Sequence, residues 1–140
     1  EDHGQYNNAN YKTDYIIGAS MFFQMSLIAI IGMMPEEYFL YYEDIDWCFA
    51  AKKAGLENKT CTKSIVYHKQ GATTGAKLKN DNQYINNKKY LYSSYLLFYK
   101  KYFKKFLLVA YFILIKQWAG RMFHGNYIEA KIIFNVLINK

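Results

Sequence analysis

The stretch FLYYEDIDWCFAAKKAG, residues 39–55, decides the fold of this chain. It starts with aromatic and aliphatic side chains, continues through the carboxylates of Glu43, Asp44 and Asp46, and ends at a glycine. Apolar residues recur at helical spacing after the carboxylates, and glycine is typical of the position that follows a helix. The pattern therefore predicts a helix over residues 44–54, with the acidic cluster at its N-terminus.

The acidic cluster permits two interpretations. Carboxylates in a first helical turn cap free backbone N–H groups and complement the helix dipole, which is a purely structural role. Alternatively, an ionised Asp44 accepts a proton from a hydroxyl nucleophile, as a general base does. The five largely apolar residues before the cluster favour catalysis, because they should leave the acids at the rim of a pocket. Helical geometry puts Asp44 and Cys48 on one face and directs Glu43, Asp46 and Trp47 elsewhere, so the acids should have different roles.

The segment before this helix is predicted to contain strands and one short helix. Residues 14–25 have the pattern of a strand or strand pair interrupted by Gly18, where we expect a side chain to be excluded or a positive φ to be required. The turn that contains this glycine would let a ligand approach the backbone. Ser26 is a candidate N-cap for a short apolar helix over residues 27–31, which Gly32 should end.

The segment after the helix is predicted to return as strands. Residues 59–62 and 64–68 are rich in β-branched side chains, and the glycine-bounded GATTG at residues 71–75 should form a turn. His68 closes the second strand, and a lone histidine is either structural or one ligand of a divalent ion. Lys69 either contacts a phosphate or lies in a solvated loop. This half of the chain is therefore expected to be α/β.

The net charge of +7 is distributed unevenly. Residues 1–85 carry 8 basic and 10 acidic side chains, whereas residues 86–140 carry 10 basic side chains and a single acid, Glu129. The sequence becomes helical and aromatic from about Asn82, with lysine pairs between the aromatic residues. An apolar run at residues 106–115 would measure about 15 Å as a helix, roughly half the ~30 Å core of a bilayer. We therefore expect this run not to cross a membrane by itself.

Three partners are conceivable for the basic half. Its lysines and aromatic residues suit a membrane surface with anionic headgroups, or they form the solvated face of helices that pack on the rest of the protein. Nucleic acid is the third possibility, but only Arg121 among the 18 basic residues is an arginine and no nucleic-acid-binding motif occurs. We expect no nucleic-acid partner.

Cysteine usage and the N-terminus favour the cytoplasm. Cys48 and Cys61 have no metal-ligand spacing and are too few for a disulfide framework. The first 14 residues lack the basic start and apolar stretch of a signal peptide. The expected location is therefore cytoplasmic, and the basic half suggests attachment to the inner face of the cell membrane.

An ordered set of motifs resembles the C-terminal part of family 2 glycosyltransferases, bacterial rhamnosyltransferase-like enzymes with a GT-A fold. The motifs are DYIIGA at residues 14–19, FLYYEDIDWC at 39–48 with KAG at 53–55, and VYHK at 66–69 before its glycine-rich follower. One departure is Ala50, where the family often has arginine. The resemblance implies an α/β fold class: the C-terminal, acceptor-side portion of a GT-A glycosyltransferase fold, followed by amphipathic and aromatic helices.

The resemblance also implies roles for individual residues. Asp44 matches the catalytic base of an inverting transfer from a nucleoside-diphosphate sugar, with Glu43 and Asp46 orienting the acceptor and the helix. His68 matches a histidine that such enzymes bring to a divalent metal, Mg or Mn, which acts as a Lewis acid. The expected substrate-binding residues are Gly18, Ala19, Trp47 and Lys69.

The resemblance implies two regions and an incomplete enzyme. Residues 1–85 would be the acceptor-side part of the catalytic domain, and residues 86–140 a basic aromatic helical region, for which membrane association is one of the alternatives. The donor-nucleotide half, with its paired-aspartate motif and remaining metal ligands, is expected to be missing. The implied function is transfer of a sugar to a glycan or lipid-linked acceptor in cell-surface polysaccharide synthesis. The alternative is a non-catalytic membrane-surface or interaction module derived from such an enzyme.

Overall fold

The computed structural model describes residues 11–68 and 82–139, and these ranges are mostly helical. Their elements are β1 (Tyr11–Lys12), α1 (Ser26–Ile31), α2 (Glu43–Lys53), β2 (Lys59–Thr60), α3 (Asn82–Tyr102), α4 (Leu107–Phe123) and α5 (Tyr127–Ile138), with 3₁₀ turns at Gly18–Ser20 and Lys104–Phe106. The chain forms two compact units. The first holds residues 11–37 and Glu43–His68, and the second holds Tyr38–Tyr42 together with α3, α4 and α5.

Helix α2 organises the first unit. It covers Glu43–Lys53, so the prediction of a helix over 44–54 is confirmed to within one residue at each end. Acids in its first turn and two lysines in its last turn complement the helix dipole. Gly55 follows at φ 82°, a left-handed conformation that glycine adopts without steric cost. The buried positions Trp47, Cys48 and Ala51 face the interior of this unit.

Helix α1 is close to its prediction. It covers Ser26–Ile31 and ends at Gly32, whose φ is 81°. Ser26 is the first helical residue rather than the N-cap, because Met25 occupies the cap position and makes no side-chain capping hydrogen bond. The expected capping role of Ser26 is therefore wrong, although the helix itself is confirmed.

Most of the predicted strands are absent from residues 11–68. The two-stranded sheet pairs Tyr11 with Thr60 and Lys12 with Lys59 in antiparallel register, so strand structure begins before the expected 14–25 segment. That segment contains the 3₁₀ turn at Gly18–Ser20 and no strand. Residues 61–68 form no strand, and Ile65, Val66 and Tyr67 are exposed there. β-Branched composition favours a strand only where a neighbouring strand and a buried face are present.

The second unit is built from three helices that pack on one another. Its core contains aromatic and aliphatic side chains from all three, namely Tyr92 and Leu96 of α3, Ala110 and Leu114 of α4, and Ile132, Ile133 and Val136 of α5. The aromatic run Tyr38–Tyr42 packs on α3. Ser94 Oγ donates to the carbonyl of Leu40 at 3.0 Å, and the rings of Tyr42 and Phe98 lie 5.6 Å apart.

The acid of the basic half, Glu129, is buried inside this unit with only 3% of its surface exposed. Tyr92 Oη donates to Oε1 at 2.6 Å, Lys88 Nζ lies 3.1 Å from the same oxygen, and Arg121 Nε lies 3.1 Å from Oε2. Burial by itself raises the pKa of Glu129, but the Tyr92 hydrogen bond and the Lys88 and Arg121 charges outweigh it, so the pKa lies below its usual value. Glu129 therefore connects α3, α4 and α5 as a carboxylate.

The domain boundary expected between residues 85 and 86 falls inside α3, which is continuous from Asn82 to Tyr102. The aromatic run at Tyr38–Tyr42 also belongs to the helical unit rather than to the first one. The expected GT-A fold stays a prediction, because one two-stranded sheet in the described residues does not define the strand order of such a fold.

Helix α4 is longer than the apolar run that predicts it. Within the described residues, Lys104–Phe123 is the segment whose 20 residues are long and apolar enough to cross a membrane, by length and composition alone. Only 11% of its apolar window is buried in the protein. The sequence-based expectation that this segment is too short to cross a membrane rested on the apolar run at residues 106–115 alone. The helix continues beyond that run to Phe123.

Candidate active site

Asp44 lies in the first turn of α2, where backbone N–H groups hold both of its carboxylate oxygens. Gly18 N donates to Oδ2 at 3.0 Å, and Ile45 N donates to Oδ1 at 2.8 Å. The first of these contacts connects the helix to a turn that lies 26 positions earlier in the chain. Each carboxylate oxygen has a second lone pair, so both can still accept a hydrogen bond from a bound hydroxyl. Asp44 is therefore a base candidate with a fixed orientation.

Gly18 supplies the backbone N–H that reaches Asp44, but not for the reason expected from the sequence. A Cβ at this position would lie 3.6 Å from Asp44 Cβ and 3.7 Å from Oδ2, which is ordinary van der Waals contact. The positive-φ glycines of the described residues are Gly32, Gly55 and Gly125, and Gly18 is not one of them. The expected steric or conformational need for glycine is therefore wrong, and the N–H group carries the contact.

Cys48 lies one turn after Asp44 and contacts the same segment. Ile16 N donates to Cys48 Sγ at 3.3 Å, while Gly18 N donates to Asp44, so the prediction that Asp44 and Cys48 share one face is confirmed. Burial raises the pKa of the Cys48 thiol, the Ile16 contact opposes this, and the nearby Asp44 charge raises the pKa further. A thiol in this environment stays protonated at neutral pH and makes a poor nucleophile.

The other two carboxylates of the cluster have different surroundings. Asp46 is 2% exposed, so it lies in the interior rather than at an open surface. Glu43 is half-buried, and its Oε2 atom is buried without a hydrogen-bond partner among the described residues. Because Glu43 Oε2 is buried as well as unpartnered, a ligand would reach it only if the surrounding side chains moved. Asp46 is buried in the first turn of α2.

The expected substrate-binding residues fall into different environments. Ala19 is exposed beside Gly18 in the 3₁₀ turn. Trp47 is 4% exposed, its Nε1 donates to Gly32 O at 3.0 Å, and the Phe23 ring meets it edge-on at 4.5 Å. The indole also borders a cavity of about 310 Å³ in the first unit. Trp47 therefore fastens α1 to α2, and any ligand contact would come through that cavity.

Of the residues expected to contact the diphosphate and the metal, the structure describes His68 but not Lys69. His68 is exposed at the end of the first described range, and Lys69 lies outside the described residues, as does the expected turn at residues 71–75. Among residues 11–68 and 82–139, no three His, Cys, Asp or Glu side chains come close enough together to hold a metal ion. These residues do not make a complete metal site, so His68 stays a predicted ligand.

The sequence gives no sign of the strained backbone that precedes the acidic cluster. Tyr41 and Tyr42 both have positive φ, 67° and 74°, which is uncommon for bulky side chains and costs of order 1 kcal/mol or more each. Packing of the Tyr42 ring against Phe98 holds this conformation on the side of the helical unit. A left-handed backbone conformation is usually found at Asn or Gly, whereas positions 41 and 42 are both tyrosine.

One comparison links the chain to a known enzyme. Over 57 residues, which are 41% of this chain, it is 30% identical to the low-salt glycan biosynthesis hexosyltransferase Agl10 of Haloferax volcanii. The match covers 19% of that protein, so the chain spans only a small part of its length. No family model matches the chain, and no solved structure matches it significantly. The partial similarity supports a glycosyltransferase-like relationship.

Proposed function

We propose that this chain is the acceptor-side part of a family 2 glycosyltransferase with a GT-A fold, in which Asp44 is the catalytic base. The observation that carries the proposal is the position of Asp44 at the N-terminus of α2, with Gly18 N and Ile45 N each donating to one carboxylate oxygen. The partial similarity to a hexosyltransferase agrees with this class of reaction. The proposed donor is a nucleoside-diphosphate sugar, and the proposed acceptor is a glycan or a lipid-linked glycan.

The proposed reaction is a single displacement with inversion at the anomeric carbon. The acceptor oxygen forms a bond to that carbon while its proton passes to Asp44. The bond between the anomeric carbon and the diphosphate breaks, and the electron pair leaves with the nucleoside diphosphate. Two backbone donors keep Asp44 aimed at one place, so it need not reorient as the reaction begins.

The other predicted site residues take supporting roles in this proposal. In the proposal, Glu43 turns its buried, unpartnered Oε2 atom toward a second acceptor hydroxyl when the acceptor binds, and the buried Asp46 supports the start of α2. Gly18 and Ala19 present an exposed backbone turn beside Asp44. Roles for Trp47 and Lys69 in substrate binding are part of the proposal.

The proposal needs a donor-binding half in addition to residues 11–68. The test joins residues 1–140 to a GT-A donor-nucleotide-binding domain and measures nucleoside diphosphate release from a panel of sugar nucleotides in the presence of glycan acceptors. We expect release that depends on acceptor, with a product whose anomeric configuration, measured by NMR, is opposite to that of the donor. A product with the same anomeric configuration as the donor would exclude the proposed single displacement. If no sugar nucleotide gave acceptor-dependent release of nucleoside diphosphate, the proposal that this chain is part of a glycosyltransferase would be contradicted.

The contact between Gly18 and Asp44 allows a positioning test in the same joined protein. Ile17 has φ −64° and ψ 132°, which suits the residue before a proline. Gly18→Pro removes the N–H that reaches Asp44 and puts a ring carbon where that N–H points, which displaces the carboxylate. Turnover should fall by up to about 10²-fold, since misplacement of a catalytic group by an ångström has effects of that size. Donor KM should stay the same.

Gly18→Ala is the matched control for this substitution. It keeps the N–H group, and the added Cβ meets Asp44 at an ordinary contact distance, so turnover should remain near that of the parent. Equal turnover in the proline and alanine variants would mean that the backbone donor does not position Asp44.

The proposed divalent metal, Mg or Mn, would take most of its ligands from the donor-binding half. Since the described residues do not make a metal site, His68 is proposed as a single contributed ligand. His68→Ala in the joined protein should raise the metal concentration needed for half-maximal transfer by about 10- to 100-fold, the effect typical of changes near a metal site. An unchanged metal requirement would leave His68 with a structural role.

The second candidate is a non-catalytic membrane-surface or interaction module. The apolar outer face of α4 favours a membrane role, and this role is compatible with the proposed enzyme, which would then act at the cytoplasmic face of the cell membrane. The two candidates differ in one observable. If the chain is a non-catalytic module, the joined protein should bind membranes but should not release nucleoside diphosphate in response to an acceptor.

A further inference from the structure

One side of α4 packs inside the helical unit, and the opposite side, the bare side, is exposed to solvent. The bare side carries an apolar stripe at spacings of four, three and eight residues, which keeps its members on one helical face: Leu108, Phe112, Ile115 and Phe123. These side chains are 83%, 67%, 47% and 88% exposed. Ala110 and Leu114, on the packed side, are 0% and 1% exposed. A stripe of large exposed apolar side chains marks an interaction surface.

Lysines flank the apolar stripe. Lys104 and Lys105 precede α4, Lys116 follows Phe112 by one turn, and all three are exposed. Residues 86–140 as a whole carry 10 basic side chains and one acid, Glu129, which is buried. A second copy of this chain would bring like charges together across the interface, whereas anionic lipid headgroups complement the lysines. We propose that the apolar stripe of α4 inserts into the surface of an anionic lipid membrane, with the helix axis parallel to the membrane plane.

The packing of α4 argues for insertion in the plane rather than across the bilayer. Its buried face shares one core with α3 and α5, and Arg121 pairs with Glu129 of α5. If α4 crossed the bilayer, α3 would be carried to the same depth with its polar residues. Lysine or asparagine on α3 would then enter hydrocarbon, at a cost of about 2.5–3.5 kcal/mol for each charged residue at the centre. An in-plane helix buries the stripe alone and leaves α3 in water.

The first experiment measures binding of the full chain to vesicles by co-sedimentation. We expect binding to vesicles of phosphatidylglycerol and phosphatidylcholine, and much weaker binding to phosphatidylcholine alone. The double variant Phe112→Ser/Phe123→Ser should bind at least about tenfold more weakly, because two aromatic anchors are lost from the interface. Both side chains are exposed, so the variant should unfold at the temperature of the parent.

Phe22→Ser provides the matched control. Phe22 is 92% exposed but belongs to the first unit, so its loss should leave vesicle binding unchanged. Equal weakening by Phe22→Ser and by the α4 variant would overturn the assignment of the surface to α4. Failure of the parent to bind anionic vesicles, or dimerisation in solution that Phe112→Ser/Phe123→Ser abolishes, would overturn it as well.

The second experiment measures the depth of α4. Single cysteines at Leu108, Ile115 and Phe123, introduced with Cys61→Ser, are spin-labelled and their membrane depth is read from collisions with lipid-soluble and water-soluble relaxants. The proposal requires similar shallow depths at all three sites, about 5–10 Å below the headgroup boundary. Depths that run from one headgroup layer through the midplane to the other would show a spanning helix and overturn the in-plane insertion.

Discussion

Replacing Asp44 with asparagine is expected to lower sugar transfer by about 10²–10⁴-fold, the range that a general base contributes to enzymatic rates. The amide keeps the size of the carboxylate, and its carbonyl oxygen can still accept from Gly18 N. Its NH₂ group then faces Ile45 N, so one of the two backbone hydrogen bonds is lost while the packing of the helix start should survive. An amide does not take up the proton of the acceptor hydroxyl. Binding of the sugar nucleotide should therefore persist while turnover falls.

The measurement uses residues 1–140 joined to a donor-binding domain, with turnover from nucleoside diphosphate release and donor affinity from calorimetry. Asp14→Asn is the matched control, since Asp14 belongs to the same unit and pairs with Lys52 at 2.7 Å, but is almost fully exposed on its side chain. This control should change turnover little, because exposed ion pairs contribute little. Parent-like turnover in Asp44→Asn would remove Asp44 as the base.

Sequence reasoning located α2 and its acidic first turn because both are local properties. The apolar spacing, the acids at the start and the glycine after the end act within a few residues of each other. It also placed Asp44 and Cys48 on one face, since helical geometry determines that relation. The contact of Asp44 with Gly18 N was not predictable, because it joins positions 26 apart in the chain.

The failed strand predictions have a different physical origin. Residues 14–25 and 64–68 have β-branched and aromatic side chains, but a strand requires a hydrogen-bonding neighbour as well as propensity. The pairing that occurs joins Tyr11–Lys12 to Lys59–Thr60. The positive φ of Tyr41 and Tyr42 also follows from context, since tyrosine has no preference for that conformation.

Glu129 illustrates how a charge count misses burial. The sequence identifies it as the single acid in a basic half, which would suit a solvated residue among lysines. In the structure it lies in the interior, where Tyr92, Lys88 and Arg121 converge on its carboxylate. Glu129 is therefore important for stability because it is buried among these three partners, and not because of the net charge of residues 86–140.

Glu129→Gln is expected to destabilise the helical unit by about 2–3 kcal/mol, the range for losing hydrogen bonds to a buried charged group. Glutamine preserves the shape but leaves Lys88 and Arg121 without their anionic partner. The free energy of unfolding is measured in urea with Trp47→Phe in both proteins, so that fluorescence reports Trp118, which packs against the helical core. Glu57→Gln is the control, because Glu57 also pairs with two lysines but is much more exposed. Glu57 belongs to the first unit, so its effect is followed in a Trp118→Phe background, in which fluorescence reports Trp47 of that unit.

The pH dependence of this stability has a defined sign. The pKa of Glu129 is lower in the folded protein than its usual value, so folding favours the ionised form. Its stabilising contribution is therefore complete above the unfolded-state pKa, about 4.3, and is lost as pH falls through the lower folded-state pKa. The difference in unfolding free energy between the parent and Glu129→Gln should be constant from pH 8 to about pH 5 and shrink below about pH 4. A difference that stayed constant down to about pH 2 would mean that glutamine acts through packing rather than through the lost charge.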